Sequence, residues 1–265
     1  MPNGQVGELE ISRLICGGNL ISGFAHARDL IYVSPLLKAY FSDEKVIETL
    51  WLCETCGINT TILRTDSDTI RILDKYWKRG GKIQWIAQTY PSEKDPTGNI
   101  QLALENGACG AFVQGNLADR FLRIGRRDLI EDSIAYIQDK GFIAGTAAHN
   151  LNVIRALEES AIEADFYMKT VHPDNYWSSR RPGQDAEVID NREDNYWDLD
   201  PAATVRYMKN VSKPWIAYKI LAAGAVTPEE GFRFAFGNGA DFACVGMFDF
   251  QVVKNVNTLL NTFSA

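Results

Sequence analysis

Histidine is scarce in this chain and basic charge does not dominate: 265 residues hold three His, with 27 Lys and Arg against 34 Asp and Glu, a formal net charge of -7. A chain of this charge offers no attraction to phosphate backbones or anionic lipid, so nucleic-acid and membrane partners are not expected. No run approaches the roughly 18 uninterrupted apolar residues of a membrane span. Residues Met1 to Glu8 lack the basic stretch and apolar run of a secretory leader, so a cytoplasmic location is expected. The five cysteines, Cys16, Cys53, Cys56, Cys109 and Cys244, are odd in number and sit in apolar surroundings, which points to reduced thiols rather than a disulfide framework. Cys53 and Cys56 make a CxxC with no second pair, inside the helical pattern VIETLWLCETCG, so packing is their expected role. With 46% apolar and 23% charged residues and no low-complexity tract, the whole chain, residues 1–265, reads as one folded domain.

Eight short runs rich in β-branched and aromatic residues alternate with segments of helical periodicity. They span Ser12 to Asn19, Gly57 to Arg64, Lys82 to Tyr90, Gly107 to Gly115, Gly141 to Asn150, Ala164 to His172, Pro214 to Gly224 and Ala240 to Asp249. Helices between them carry end signals: Ser42 as N-cap, Asp43 and Glu44 at the positive end of the dipole, and Gly57 where the chain turns into the next strand. Eightfold alternation of this kind closes into an α/β fold, the (β/α)8 barrel, with function on the loops at the carboxyl ends of the strands. Long junctions are expected at Leu20 to Phe41, Pro91 to Asn99, Asn116 to Arg127 and, after the sixth strand, Pro173 to Asp200.

The opening, GELEISRLICGGNLISGF followed by SDEKVIETLWLCETCGINT, resembles aldo/keto reductases. That resemblance implies an N-terminal hairpin across the barrel floor. It implies no reductase chemistry, because the family's aspartate position after GIN-x-x holds Ile62, followed by Leu63 and Arg64. The third strand ends in Gln88 rather than lysine, and the fourth in Gln114 rather than histidine. A hydride-transfer enzyme without its acid has no proton for the forming alkoxide.

Farther along, ADFYMKT is similar to the sixth-strand segment of deoxyribose-phosphate aldolase and related class I aldolases, and AYKILAAGAVTPEEGFRFAFGNGAD resembles that family's seventh strand and the loop and helix after it. The resemblance implies Lys169 as a Schiff-base nucleophile and Lys219 as the neighbouring cation that lowers its pKa. Lys219 lies five residues before Gly224, where the family has three. Gln114 and Asn116 stand where it has an aspartate for proton transfer.

The three histidines, His26, His149 and His172, all map to the carboxyl ends of strands. They are candidates for acid, base or hydrogen-bonding roles, or, with Asp174 or Asp249, for a divalent Zn, Mn or Fe site. The sixth loop repeats DNYW, at Asp174 to Trp177 and Asp194 to Trp197; aromatic rings among amides, carboxylates and Arg180 and Arg181 suit a sugar. Bulky Phe248 and acidic Asp249 at the last helix start argue against a phosphate group there.

The expected function is a lyase or aldolase-type reaction on a carbonyl-bearing, sugar-like small molecule, with no cofactor required. Lys169, Lys219, His149 and His172 are the expected catalytic residues, and Asn19, Arg64, Gln88, Gln114, Tyr176, Trp177, Arg180 and Asp249 the expected substrate contacts. The alternatives are a metal-dependent sugar isomerase, epimerase or lyase using His26, His149 and His172, and a non-catalytic barrel that binds a sugar or a protein partner. A homo-oligomer is compatible with all three.

Overall fold

The computed structural model describes residues 1–27, 30–184 and 195–264. Two short strands, β1 (Asn3–Val6) and β2 (Leu9–Ser12), form an antiparallel hairpin that turns at Gly7, whose positive φ of 55° suits glycine. Eight parallel strands follow: β3 (Leu14–Gly17), β4 (Thr60–Arg64), β5 (Gln84–Thr89), β6 (Gly110–Val113), β7 (Ile143–Ala148), β8 (Phe166–Thr170), β9 (Trp215–Tyr218) and β10 (Phe242–Gly246). They pair in chain order, and β10 closes on β3 to complete the barrel. All eight expected runs contain a barrel strand, shortened at the ends where glycine and polar residues turn the chain.

The helices are α1 (Val33–Tyr40), α2 (Asp43–Thr55), α3 (Ser67–Lys78), α4 (Gly98–Glu105), α5 (Gly115–Arg123), α6 (Asp128–Asp139), α7 (Leu151–Glu158), α8 (Pro201–Met208), α9 (Pro228–Gly237) and α10 (Asp249–Ser264). Side-chain oxygens start several of them: Ser42 accepts from Lys45 N, Asp66 from Thr69 N, and Asp200 from Ala203 N. Such caps contribute about 1 kcal/mol each. Two expected loops contain helix instead: α1 lies within Leu20 to Phe41, and α5 takes up most of Asn116 to Arg127. Among the described residues, no helix is long and apolar enough to cross a membrane. All five cysteines are free, and Cys16 and Cys53 pack in the layer between strands and helices.

Strand alternation sorts the side chains into two cores. Ile15, Ile62, Ile86, Phe112, Ile143, Ala147, Phe166, Met168, Ile216 and Phe242 fill the barrel, joined by Val6 and Ile11 of the hairpin, which plug one end. The intervening positions, such as Trp85, Val113, Ala148, Tyr167, Val171 and Trp215, pack outward against the helices. With the floor plugged, the carboxyl ends of the strands form the mouth.

Candidate active site

Two more residues along the inward parity carry each strand from its last apolar side chain to the mouth. That brings Arg64, Gln88, Gln114, His149 and Tyr218 to one rim, each two positions beyond Ile62, Ile86, Phe112, Ala147 and Ile216. Trp197 and Asp198, at the end of the sixth loop, are buried, with the Trp197 ring against His26, His172 and Lys219.

His149, just past β7, is 5% exposed. Its Nδ1 lies 2.8 Å from Oδ2 of Asp119, a residue of α5 that is 3% exposed. The same carboxylate accepts from the backbone N–H groups of His149 and Asn150 at 3.1 and 3.0 Å. A carboxylate so placed holds the proton on Nδ1 and leaves Nε2 as an acceptor. That Nε2 is buried and has no hydrogen-bond partner among the described residues; nor has the buried hydroxyl of Tyr218, whose ring centroid is 5.5 Å from that of His149. Burial pulls the His149 pKa down against the opposing pull of Asp119, and the charges of Lys219 and Lys169 lower it further. Burial drives the Tyr218 phenol upward, so it is held as a hydroxyl.

Lys219 does not lie inside the seventh barrel strand, as the sequence led us to expect. The strand ends at Tyr218, and Lys219 opens a tight turn with φ of 58°, followed by Ala222 and Ala223 at 43° and 54°. The left-handed backbone is costly for residues other than glycine. It sets the half-buried side chain between two loops, with Nζ 3.0 Å from Nε2 of His26 and 3.7 Å from the Trp197 ring centroid. Among the described residues no carboxylate pairs with it. Burial brings its pKa from the ordinary 10.5 to about 7.

Lys169 is placed differently from the expected nucleophile. It shares the helix-facing parity of Tyr167 and Val171 and is fully buried. Its Nζ donates to the carbonyl and hydroxyl oxygens of Thr170 at 2.8 and 2.9 Å, and lies 3.7 Å from Oδ1 of Asp198. Burial lowers its pKa while Asp198 and Asp119 raise it. An amine so enclosed fixes the loop around Asp198 and is not presented to the mouth.

His172 is likewise committed to structure. Nδ1 donates to Pro173 O at 2.8 Å, and Nε2 accepts from the backbone N–H groups of Trp197 and Asp198 at 3.0 and 3.1 Å. With both ring nitrogens bound, it cannot carry protons or ligate a metal without releasing the loop. The expected site of His26, His149 and His172 is therefore not assembled, and among the described residues no group of three His, Cys, Asp or Glu could hold a metal ion.

The expected substrate contacts divide. Arg64 stacks between Phe24 and Tyr90, 5.1 and 5.2 Å from their centroids, with Asp66 2.8 Å from Nε. Gln88 donates to the Tyr90 hydroxyl beside it. Gln114 caps α5 by accepting from Leu117 N. Tyr176 and Arg180 brace the sixth loop through Asn195 O and Gln184 O, while Trp177 is 75% exposed. Asn19 and Asp174 are exposed. Asp249 accepts from the Tyr40 hydroxyl at 2.5 Å and from Lys45 at 3.3 Å. Asp194, the start of the second DNYW, lies outside the described residues. A shallow depression of about 420 Å³, lined by Leu122, Gly125, Arg127, Asp128, Glu131 and Ala156, lies on the helical shell rather than at the strand ends.

Tyr218 and Asp119 escaped the sequence reading. Inward parity two residues after Ile216 was the available signal for Tyr218. Asp119 meets His149 across 30 residues of chain, a contact without a local pattern.

No protein-family model matches the sequence, and no curated protein matches it. Solved structures do. A putative aldo-keto reductase from Pseudomonas aeruginosa superposes with a TM-score of 0.68 at 17% identity, over 99% of this chain and 94% of that one. An aldo-keto reductase from Bacillus halodurans gives 0.63 at 13%, over 98% and 91%, and N-acetylneuraminic acid synthetase from Leptospira borgpetersenii 0.56 at 8%, over 99% and 89%. At such identities the likeness is one of fold: this chain shares the (β/α)8 barrel with reductases and a synthetase.

Proposed function

We propose that this barrel is an enzyme of carbonyl chemistry, a lyase acting on a hydroxylated small molecule through an amine, with Lys219 as that amine. The observation that carries the reading is the setting of Lys219: a half-buried side chain whose Nζ lies against the His26 imidazole and the Trp197 indole ring. With a pKa brought to about 7, a substantial fraction of such a lysine is the free base near neutrality, the form that attacks a carbonyl. Attack on the substrate carbonyl and loss of water give an iminium, which accepts the electron pair of a breaking carbon–carbon bond. Lys169 keeps a supporting role, holding Asp198 at the end of the sixth loop. Arg64, braced by two aromatic rings, is a rigid donor for substrate hydroxyl or carboxylate oxygens. The barrel is also that of reductases, but Ile62, Gln88 and Gln114 occupy the positions where that resemblance calls for acid, lysine and histidine.

The test is borohydride trapping with hydroxyacetone, dihydroxyacetone and unphosphorylated ketoses, followed by intact mass and peptide mapping. An adduct on Lys219 that disappears in Lys219→Met is expected. Trapping on Lys169, or none with any of these compounds, overturns the assignment.

A further inference from the structure

Buried polar atoms without partners are expensive, and native proteins carry few. Two lie at this mouth on neighbouring side chains: His149 Nε2 and the Tyr218 hydroxyl. Both press on the α-carbon of Gly115 at the start of α5. A methyl group there would lie 2.6 Å from Tyr218 Oη and 3.1 Å from His149 Cε1, so any larger residue would push the two rings out of place. The glycine is needed for clearance, since its φ is not in the left-handed range. Behind the imidazole, Asp119 fixes the tautomer with Nε2 as acceptor. One open acceptor and one open donor, both on the inward parity and both shielded from water, form a receptor for a single hydroxylated carbon.

Resting on Lys219 as the amine, we infer that His149 and Tyr218 are catalytic: His149 Nε2 moves the proton of the reacting centre, and Tyr218 donates a hydrogen bond to the substrate hydroxyl beside it. Asp119 is the positioning residue and Gly115 provides the space. In the half-reaction with a ketone, neutral Lys219 and the carbonyl condense with loss of one water, and the imine nitrogen takes up one proton from solvent to become the iminium. His149 Nε2 then takes a proton from the adjacent carbon. The electron pair of that C–H bond becomes a carbon–carbon double bond, and the C=N pair returns to nitrogen, giving a neutral enamine. Return of a proton from His149 to carbon reverses the step, so in heavy water the carbon acquires deuterium. In the full lyase direction the same nitrogen takes the hydroxyl proton as the carbon–carbon bond breaks. No oxidant or second reactant is needed.

The test follows hydroxyacetone by proton NMR in D2O with the full-length protein, alongside borohydride trapping of the same mixtures. Wild type is expected to exchange protons at the carbons next to the carbonyl. His149→Gln should lower that exchange at least about 100-fold and Tyr218→Phe at least about tenfold, with adduct formation on Lys219 retained in both. Tyr218→Phe removes a buried hydroxyl that has no hydrogen-bond partner among the described residues, so its melting temperature should equal or exceed that of wild type. A residue with only a structural role would not combine lost exchange with unchanged stability. Gly115→Ala, which fills the space, should also lose exchange. Adduct with exchange unchanged in both ring variants overturns this inference and leaves the lysine reading standing. Exchange that depends on His149 without an adduct overturns the lysine reading alone, and absence of both from wild type overturns both.

Discussion

The free-base character of Lys219 can be measured directly. Burial brings its pKa to about 7 from 10.5. At pH 7 about half of Lys219 is then neutral, whereas an ordinary lysine is neutral in roughly one molecule in 3,000. Only the neutral amine reacts with formaldehyde and cyanoborohydride, so the fraction available differs by about three orders of magnitude, less a modest loss of intrinsic nucleophilicity. Lys78, whose side chain is 74% exposed, is an internal reference in the same digest. Across pH 5 to 11, methylation of Lys219 relative to that reference should level off with a midpoint near 7. The same shift has a thermodynamic face. Between about 7 and 10.5 the unfolded chain binds the Lys219 proton and the folded chain does not, so this group makes stability rise with pH through that window, and Lys219→Met removes its share of the rise. A Lys219 midpoint above 9, or a stability profile identical in Lys219→Met, would show that the amine is solvated and charged and would refute the reasoning.

Other perturbations test the frame around the site. Replacing Lys169 by Met leaves the Asp198 carboxylate buried without its cation and should cost about 3–5 kcal/mol in urea unfolding, most of it recovered when Asp198 becomes Leu as well; a double variant no better than the single would discount the pair. Ile11→Ala opens the plugged floor of the barrel and should cost about 2–5 kcal/mol, and a loss under about 1 kcal/mol would mean the hairpin contributes little. Burial lowers the pKa values of His149 and His172, so on acidification the unfolded chain takes up protons first. Stability present above pH 6.5 should be lost as pH falls through that value, and a melting temperature flat from pH 7.5 to 5 would contradict it.

The eight strands could be read from the sequence because β-branched runs ended by glycine have few other folds. The orientation of Lys169 was also there to be read: Phe166 and Met168 mark the inward parity of β8, which leaves Tyr167 and Lys169 on the helix side. Lys219 was harder, since the end of β9 depends on a left-handed turn built without glycine at its first position. The fate of His172 depends on backbone N–H groups 25 and 26 residues away, which leave no trace in its neighbours. Asp119 belongs to the same class, being brought to His149 by the docking of α5 beside β7.

The turn after β9 sets aim against ease of folding. Glycine at residues 219, 222 and 223 would adopt those dihedral angles freely, yet the chain keeps one lysine and two alanines there. At the first of the three, relief of the torsional strain and possession of the amine exclude each other. Attempts to harden this protein by relaxing its backbone would find an easy gain at that residue and lose its nucleophile in taking it.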